Sequence, residues 1–523
     1  MERRVGGDGG GRWAWRQAAL PYAVVAGTAI LARLLVAISS PFPLYFPDSW
    51  CYAPRLGTLP CAAHDPAITT IWRLLSLDQL SESSVLMIQA VLGIASAVLL
   101  LKVLRRISSP SLSLAAALLF SVLPLQLLFE HMILTEATEV FCVVVFFAAV
   151  EEALRASSPV RLLLLSAISA LAAGTAAAVH SSFIAPAAAL WALSTALIAW
   201  RAWSTAGALR RGWLLAVLPL LSLAMLLGPA LPEAASYHRH YGVWTTNALA
   251  GPFLAARWAP LLSCDPPAGA TPEAAAAIAL FCRESSYGTP PGINERLVWS
   301  PALGGFTLAR NGGSRARYAR TDAQLQAAAI AGITAHPLSF ASEMLSSLGF
   351  QLLGSPWTDL QRYNAGYRYA PGSPNARDFP DPVGWFGTTE PRPRGPVDQG
   401  LLRLVGGTTR IPPLLVWIAI LGGAWRLGRA GRRSHRDPDA DYRLFPLKPP
   451  ATRVAIGILA AAQLVVSMLT VAFAGWDIFR YWAPLVPGLL ILCVLVLPRA
   501  RGRHRPAVAA AELDRDAEAA PAR

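Results

Sequence analysis

The sequence has little charge and almost no lysine, and both shortages restrict the class of protein. Only 15% of its 523 residues are charged and 54% are hydrophobic. A typical soluble domain has about 25% charged residues. Nearly all of the basic residues are arginine, which together with abundant alanine is typical of a GC-rich genome. No nucleic-acid-binding motif accompanies the net charge of +14, so the sequence favours neither a soluble domain nor a nucleic-acid partner.

Long apolar runs dominate the chain. About 20 apolar residues are needed to cross a bilayer as a helix. The sequence therefore predicts an all-α polytopic membrane protein with about ten transmembrane helices, of which 411–427 is the shortest. The ten runs are 18–38, 85–104, 111–129, 136–153, 161–179, 183–200, 213–231, 411–427, 453–474 and 480–497.

The positions of the arginines predict how these helices are oriented. Arginines cluster in alternate loops, whereas the short turns at 130–135 and 180–182 have no Lys or Arg. In membrane proteins the cytoplasmic loops carry the excess of Lys and Arg. The sequence therefore predicts a protein of the plasma membrane with both termini in the cytoplasm. The surplus of arginine would then face anionic membrane lipid. The first run is too long for a signal peptide.

This topology divides the chain into five parts. The two soluble outer regions are the first outer loop at 39–84 and a long extracytoplasmic segment. In the long segment a helix from 323 is broken near Pro337, and a second apolar helix from about 338 to 353 lies in the interface or dips into the bilayer. The parts are a cytoplasmic N-terminal tail (1–17), an N-terminal transmembrane module (18–231), the extracytoplasmic segment (232–410), C-terminal transmembrane helices (411–497) and a disordered cytoplasmic tail (498–523).

Four of the six cysteines fall in the predicted outer regions. Cys51 and Cys61 share the first outer loop, and Cys264 and Cys282 share the long segment. Because extracytoplasmic compartments are oxidising, the sequence predicts the disulfides Cys51–Cys61 and Cys264–Cys282. Four unpaired thiols are the alternative.

Ionisable side chains cluster at the predicted outer ends of the spans, which suggests chemistry at the membrane surface. An enzyme that transfers a sugar from a lipid-anchored phosphate needs a carboxylate there to deprotonate the acceptor. It also needs a cation to stabilise the departing phosphate. Asp48, in "LYFPDSWCYAP", meets the first need, and Arg480 meets the second because guanidinium matches phosphate geometry.

Four motifs, in order, resemble those of GT-C superfamily membrane glycosyltransferases of the protein O-mannosyltransferase and lipid A aminoarabinose transferase type. They are "PDSWCY", "AAHDPAITTIWRLLS", "HMILTEATEVF" and "FRYWAPLVPGLL". The resemblance covers most of 18–150 and 330–497. It implies a GT-C-like fold and inverting transfer of a sugar from a polyprenyl-phosphate donor to an extracytoplasmic acceptor, which would be a cell-envelope glycan, a lipid or a protein.

The resemblance also implies roles for particular residues. Many relatives carry two adjacent acids in the first outer loop, but Ser49 follows Asp48 here, so a second acid would come from Asp65 or Glu136. Metal dependence is therefore open: no cofactor is implied with certainty, and a divalent metal remains an option. Asp48 and Glu136 are predicted as catalytic residues, and Arg480, Tyr481, His64, Asp65, Tyr52 and His131 as donor-binding residues.

Each of these residues also has a purely structural explanation. Asp48 fits a turn, and Glu136 fits the first turn of a helix, where the helix dipole favours an acid. Arg480 has Asp477 three residues before it as an ion-pair partner, and Tyr52 fits an interfacial aromatic belt. A polyprenyl-lipid flippase or transporter without chemistry, and a scaffold for envelope assembly, are the alternative functions.

Overall fold

The computed structural model describes twelve stretches of the chain. In these residues the chain forms α-helices and short 3-10 helices, and no strand. The expectation of an all-α protein is therefore confirmed for the described residues. They are 8–39, 82–131, 135–205, 208–245, 247, 249–285, 297–298, 308–353, 408, 410–436, 450–474 and 478–497.

Sixteen α-helices form in the described stretches. All ten apolar runs found in the sequence are helical. The helices are α1 (Asp8–Ser39), α2 (Glu82–Ile107), α3 (Pro110–Val122), α4 (Pro124–Glu130), α5 (Glu136–Ala153), α6 (Pro159–Val179), α7 (Ile184–Thr205), α8 (Ala208–Leu227), α9 (Ala230–Tyr241), α10 (Ala250–Arg257), α11 (Pro272–Glu284), α12 (Arg315–Ala335), α13 (Pro337–Leu353), α14 (Ile411–Arg436), α15 (Pro450–Ala474) and α16 (Ile478–Val496).

Five described helices contain stretches long and apolar enough to cross a membrane. There are seven if each of two bent pairs is one span: α3 with α4, bent by 46°, and the end of α8 with α9, bent by 45°. The first bend falls at Pro124, whose ring lacks a backbone N–H and cannot continue the preceding helix regularly. The five stretches are Ala18–Ile38, Ser84–Ile107, Pro159–Val179, Ser181–Trp203 and Thr452–Ala474.

Three of the ten predicted spans form helices that do not meet this standard. The helix α5 carries Glu136, Glu139, Glu151 and Glu152 in its first and last turns. The apolar parts of α14 and α16 are short, at Ile411–Trp425 and Trp482–Val496. The described structure therefore supports five to seven spans rather than ten.

The apolar helices pack around one large core. Phe120, Phe129, Phe146 and Phe147 are fully buried within it. Close helix approach contributes to the packing: a Cβ at Gly174 in α6 would overlap the backbone of Leu226 in α8. Large apolar side chains on the outside of α1, α2, α6 and α8 are exposed. A broad exposed apolar surface of this kind is typical of contact with lipid.

A second, smaller core lies between α9 and α12. It is built on Tyr237, Phe253, Phe281 and Tyr318. The predicted Cys264–Cys282 disulfide is confirmed, with a Cα–Cα distance of 5.8 Å, and it ties the segment before α11 to the end of that helix. The predicted boundary at 231–232 falls inside α9.

The helix predicted from 323 begins at Arg315, eight residues earlier. Ser314 caps it by accepting a hydrogen bond from the Arg317 N–H at 3.3 Å. The predicted break is confirmed, because α12 ends at Ala335 and α13 begins at Pro337.

A buried carboxylate joins α10 to α12. Asp322 accepts hydrogen bonds from the Gly251 N–H and from Gln326 Nε2, both at 2.7 Å. Burial raises the pKa of Asp322 to about 6, although the two hydrogen bonds favour its charged form and oppose the rise.

Candidate functional site

One end of the apolar bundle is held by arginine and lysine, and we call it the basic end. Lys102 in α2 pairs with Glu152 in α5 at 2.9 Å, and Arg161 in α6 binds the same carboxylate at 2.7 Å. Arg155 pairs with Glu151 and reaches the Arg106 carbonyl oxygen at 3.4 Å. These contacts place the ends of α2 and α5 and the start of α6 together.

The opposite end collects acids and histidines, and we call it the acidic end. It follows from the helix directions: α3 and α4 lead away from the basic end, α5 returns to it, and α6 leads away again. The residues at the turns are buried although they are ionisable, which disfavours their charged forms unless they are paired. They are Glu130, His131, Glu136, Glu139 and His180.

The helix that carries Arg480 and Tyr481 also begins at the acidic end. Ser108, which follows α2 at the basic end, donates a hydrogen bond to the Val494 carbonyl oxygen at 3.4 Å, so the last turn of α16 lies at the basic end. The helix α16 packs along α5, and with 19 and 18 residues the two are each about 27 Å long. The first turn of α16 therefore lies at the level where α5 begins.

A glutamate and a histidine face each other at this end. His180 Nδ1 lies 3.9 Å from Glu139 Oε2 and 2.5 Å from Ser182 Oγ. All three side chains are buried. His180 follows the last residue of α6, and Ser182 belongs to the 3-10 turn Ser181–Phe183. The ring nitrogen is thus placed between a hydroxyl and a carboxylate.

Two of the residues predicted from the sequence lie here. His131 follows α4, where its backbone N–H donates to the carbonyl oxygens of Leu127 and Leu128 at 3.1 and 3.0 Å. Glu136 is the first residue of α5, behind the N-cap Thr135. Both side chains are buried, so the structure brings His131 and Glu136 to the same end of the bundle as Glu139 and His180.

The acidic end also contains a buried ion pair between distant parts of the chain. Arg33 in α1 binds Glu130 twice, with Nε 2.6 Å from Oε2 and Nη2 2.6 Å from Oε1. Gln126 Nε2 donates to the same carboxylate at 2.9 Å. Gly93 in α2 makes room for this carboxylate, because a Cβ at that position would overlap it. The pair links α1, α4 and α2.

Sequence reasoning missed two of these residues. Arg33 interrupts the run "AILARLLVAIS", and a basic residue inside an apolar run was the available signal. Glu139 follows Glu136 by three residues, the spacing that places two side chains on one face of a helix.

The other predicted site residues have no described side chain. Asp48, Tyr52, His64 and Asp65 lie outside the described residues, as does the Cys51–Cys61 pair. Arg480 and Tyr481 belong to the first turn of α16, but only their place in the helix is described. Their roles stay predictions.

Comparison with known proteins adds no family to this picture. No protein-family model, no curated protein and no solved structure matches the chain. Within the described stretches, no group of three or more His, Cys, Asp or Glu side chains is arranged to hold a metal ion. The functional argument therefore rests on the geometry of the acidic end together with the sequence motifs described above.

Proposed function

We propose that the protein is a membrane glycosyltransferase of the GT-C type, which transfers a sugar from a polyprenyl-phosphate donor to an acceptor outside the cytoplasm. The observation that carries this proposal is the convergence of His131, Glu136, Glu139 and His180 with the first turn of α16 at one end of an apolar bundle. Two motifs of the sequence resemblance also lead to that end: "HMILTEATEVF", which contains His131 and Glu136, and "FRYWAPLVPGLL", which contains Arg480.

The arrangement suits a donor that is half lipid and half polar. The polyprenyl chain would lie along the apolar helices, and its phosphate and sugar would lie at the acidic end. The opposite, basic end is suited to anionic head groups, because it combines Lys102, Arg155 and Arg161 with exposed side-chain area. The proposed active site would then face the extracytoplasmic side, with both termini in the cytoplasm.

In the proposed reaction, Asp48 accepts the proton of an acceptor hydroxyl. The resulting oxygen forms a bond to the anomeric carbon from the side opposite the phosphate, and the configuration inverts. The bond between the anomeric carbon and the phosphate oxygen breaks, and its electron pair leaves with polyprenyl phosphate. Arg480 stabilises the charge that develops on this phosphate. Glu136 or Asp65 is the proposed second acid.

A transporter or flippase is the second candidate, and the Arg33–Glu130 pair favours it. Ionisable residues within membrane spans often mark pathways for polar substrates. Arg33 lies inside the span Ala18–Ile38, and Glu130 ends the bent pair of α3 and α4. Such a protein moves the lipid and needs no base at Asp48.

The two candidates separate in an assay with purified protein and a panel of polyprenyl-phosphate pentoses and hexoses. The variant Asp48→Asn keeps the side-chain shape and removes the proton acceptor, so we expect transfer to fall by about a hundredfold or more. The exposed Asp265, in the second core's disulfide-bonded segment, supplies the control Asp265→Asn, which should leave transfer unchanged.

Near-normal transfer by folded Asp48→Asn would remove Asp48 as the base. Movement of the labelled lipid across a vesicle bilayer, without transfer of its sugar by the wild-type protein, would favour the transporter.

A further inference from the structure

The helix α13 is unusually apolar for a helix that follows a polar segment. Glu343 is the only charged residue among the 17 residues of Pro337–Leu353. The preceding helix α12, in contrast, carries Arg315, Arg317, Arg320 and Asp322. A helix on the surface of a soluble domain usually carries charge on its outer face, so α13 requires a different explanation.

Two contacts fix α13 against the end of α15. Gln351 Nε2 donates to the Met468 carbonyl oxygen at 3.2 Å. One turn earlier, Ser347 meets Arg257, whose Nη2 also donates to the Ala472 carbonyl oxygen at 3.1 Å. Residue numbers thus rise along α13 as they fall along α15, and the two helices run antiparallel side by side.

These contacts give the depth of α13 relative to a membrane span. The span Thr452–Ala474 ends six residues beyond Met468. With a rise of 1.5 Å per residue, Gln351 lies about 9 Å inside the end of that span. The second half of α13 is therefore beside the span, not beyond it.

Arg257 holds the polar side of α13. Its Nη1 donates to Glu343 Oε1 at 3.0 Å and its Nη2 donates to Ser347 Oγ at 2.6 Å. The guanidinium carbon lies 4.5 Å from the centroid of the Trp258 ring. Arg257 is buried, and it pairs with the one charge of α13. The polar side chains Glu343 and Ser347, on the side of α13 that faces the protein, are thereby paired.

The other side of α13 is uncharged and open, and its large exposed side chains are leucines. Leu338, Leu345 and Leu353 are 86%, 68% and 78% exposed. At 100° per residue, they lie within a sector of about 80° on one face of the helix. On the opposite face of α13, Phe340 packs against Phe473 of α15 with ring centroids 6.3 Å apart.

We propose that α13 is immersed in the lipid bilayer, with Leu338, Leu345 and Leu353 in contact with acyl chains and Arg257 anchoring the helix to α15. Two observations support lipid as the occupant of this face: its depth beside a span and its lack of charge. The inference depends on the membrane spans and stands whether or not the protein transfers a sugar.

Fluorescence in proteoliposomes of phosphatidylethanolamine and phosphatidylglycerol tests this proposal. The variant Leu345→Cys is labelled with an environment-sensitive fluorophore, and lipids carrying a spin label on the acyl chain are added as quenchers. We expect a blue-shifted emission and strong quenching. Val465→Cys, on the exposed side of α15, is the matched lipid-facing control. Ala316→Cys, exposed at the start of α12, is the control in water.

The wild-type chain, treated with the same reagent, gives the background from its own cysteines. Quenching of Leu345→Cys comparable to that of Val465→Cys supports immersion. Unshifted and unquenched emission, as expected for Ala316→Cys, would overturn it. Disulfide cross-linking of two copies through Leu345→Cys, with emission that is blue-shifted but not quenched by lipid, would also overturn it and assign the face to a second copy of the chain.

Discussion

The two ends of the bundle use charge in opposite ways. At the basic end, Lys102 and Arg161 share one carboxylate and remain 38% and 61% exposed. At the acidic end, Arg33 and Glu130 are almost completely buried, and Glu136, Glu139 and His180 are buried beside them. Exposed ion pairs contribute little to stability, whereas burying charge is costly unless it is paired.

This difference between the two ends shows that the acidic end buries ionisable groups at a cost in folding free energy. Three ionisable side chains at the start of α5 and just after α6, Glu136, Glu139 and His180, are held out of water, and the Ser182 hydroxyl lies against the His180 ring. Simple folding does not require such groups, since apolar residues at these positions would pack without that cost. Buried ionisable groups cluster at functional sites, which favours the acidic end as the functional end.

The largest expected difference between the two ends is the loss of folding stability when an ion pair is broken. Arg33→Met leaves the Glu130 carboxylate buried without its guanidinium, and removing one partner of a buried pair costs about 3–5 kcal/mol. Lys102→Met breaks an exposed pair at the basic end and should cost less than about 1 kcal/mol. Denaturant unfolding in mixed micelles measures both.

The double variant Arg33→Met/Glu130→Leu checks the cause of this loss. It removes both charges, so it should recover most of the stability lost by Arg33→Met. Equal small losses for Arg33→Met and Lys102→Met would show that the two ends do not differ in this respect.

The second contrast is in activity, and it rests on the proposed function. Glu139→Gln keeps the shape of the side chain but weakens its hold on the His180 ring. Misplacing a group in an active site costs up to about a hundredfold in rate. Glu152→Gln at the basic end should change transfer by no more than about twofold, as expected for a surface substitution.

Transfer per folded molecule, and its dependence on pH, distinguishes positioning from a loss of folded protein. A changed pH profile in Glu139→Gln, with an unchanged profile in Glu152→Gln, would place His180 in the proton chemistry. Parallel losses of folded protein in both variants, with normal transfer in the remainder, would contradict the assignment.

Local signals in the sequence predicted much of the fold. The apolar runs predicted the helices, and Pro337 predicted the break before α13. The placement of Cys264 and Cys282 in one outer segment predicted their disulfide. The extension of α9 beyond residue 231 was not predicted, because "PEAASYHRHY" is polar and continues the helix without a hydropathy signal.

The candidate site was less accessible to sequence reasoning. Glu136 and His131 were found because they flank a short turn. The partner of Glu130 was not, because Arg33 is 97 residues away and only the packing of α1 on α4 brings them together. Contacts between distant segments depend on how helices pack, which apolar periodicity does not specify.

The smallest expected contrast concerns two glycines in neighbouring helices. Gly93 in α2 faces the Glu130 carboxylate, and a methyl group there would overlap atoms that Arg33 and Gln126 hold in place. We expect Gly93→Ala to cost about 1–3 kcal/mol, as overpacking does in a core. Gly27 in α1 has no other atom within 4 Å of its added Cβ, so Gly27→Ala should be neutral or stabilise by up to about 1 kcal/mol through better helix propensity.

Thermal unfolding of both variants is compared with that of the same variants in a Glu130→Ala background. If the carboxylate is the cause, the cost of Gly93→Ala shrinks in that background, and the effect of Gly27→Ala does not change. An undiminished cost of Gly93→Ala without Glu130 would contradict the crowding described here.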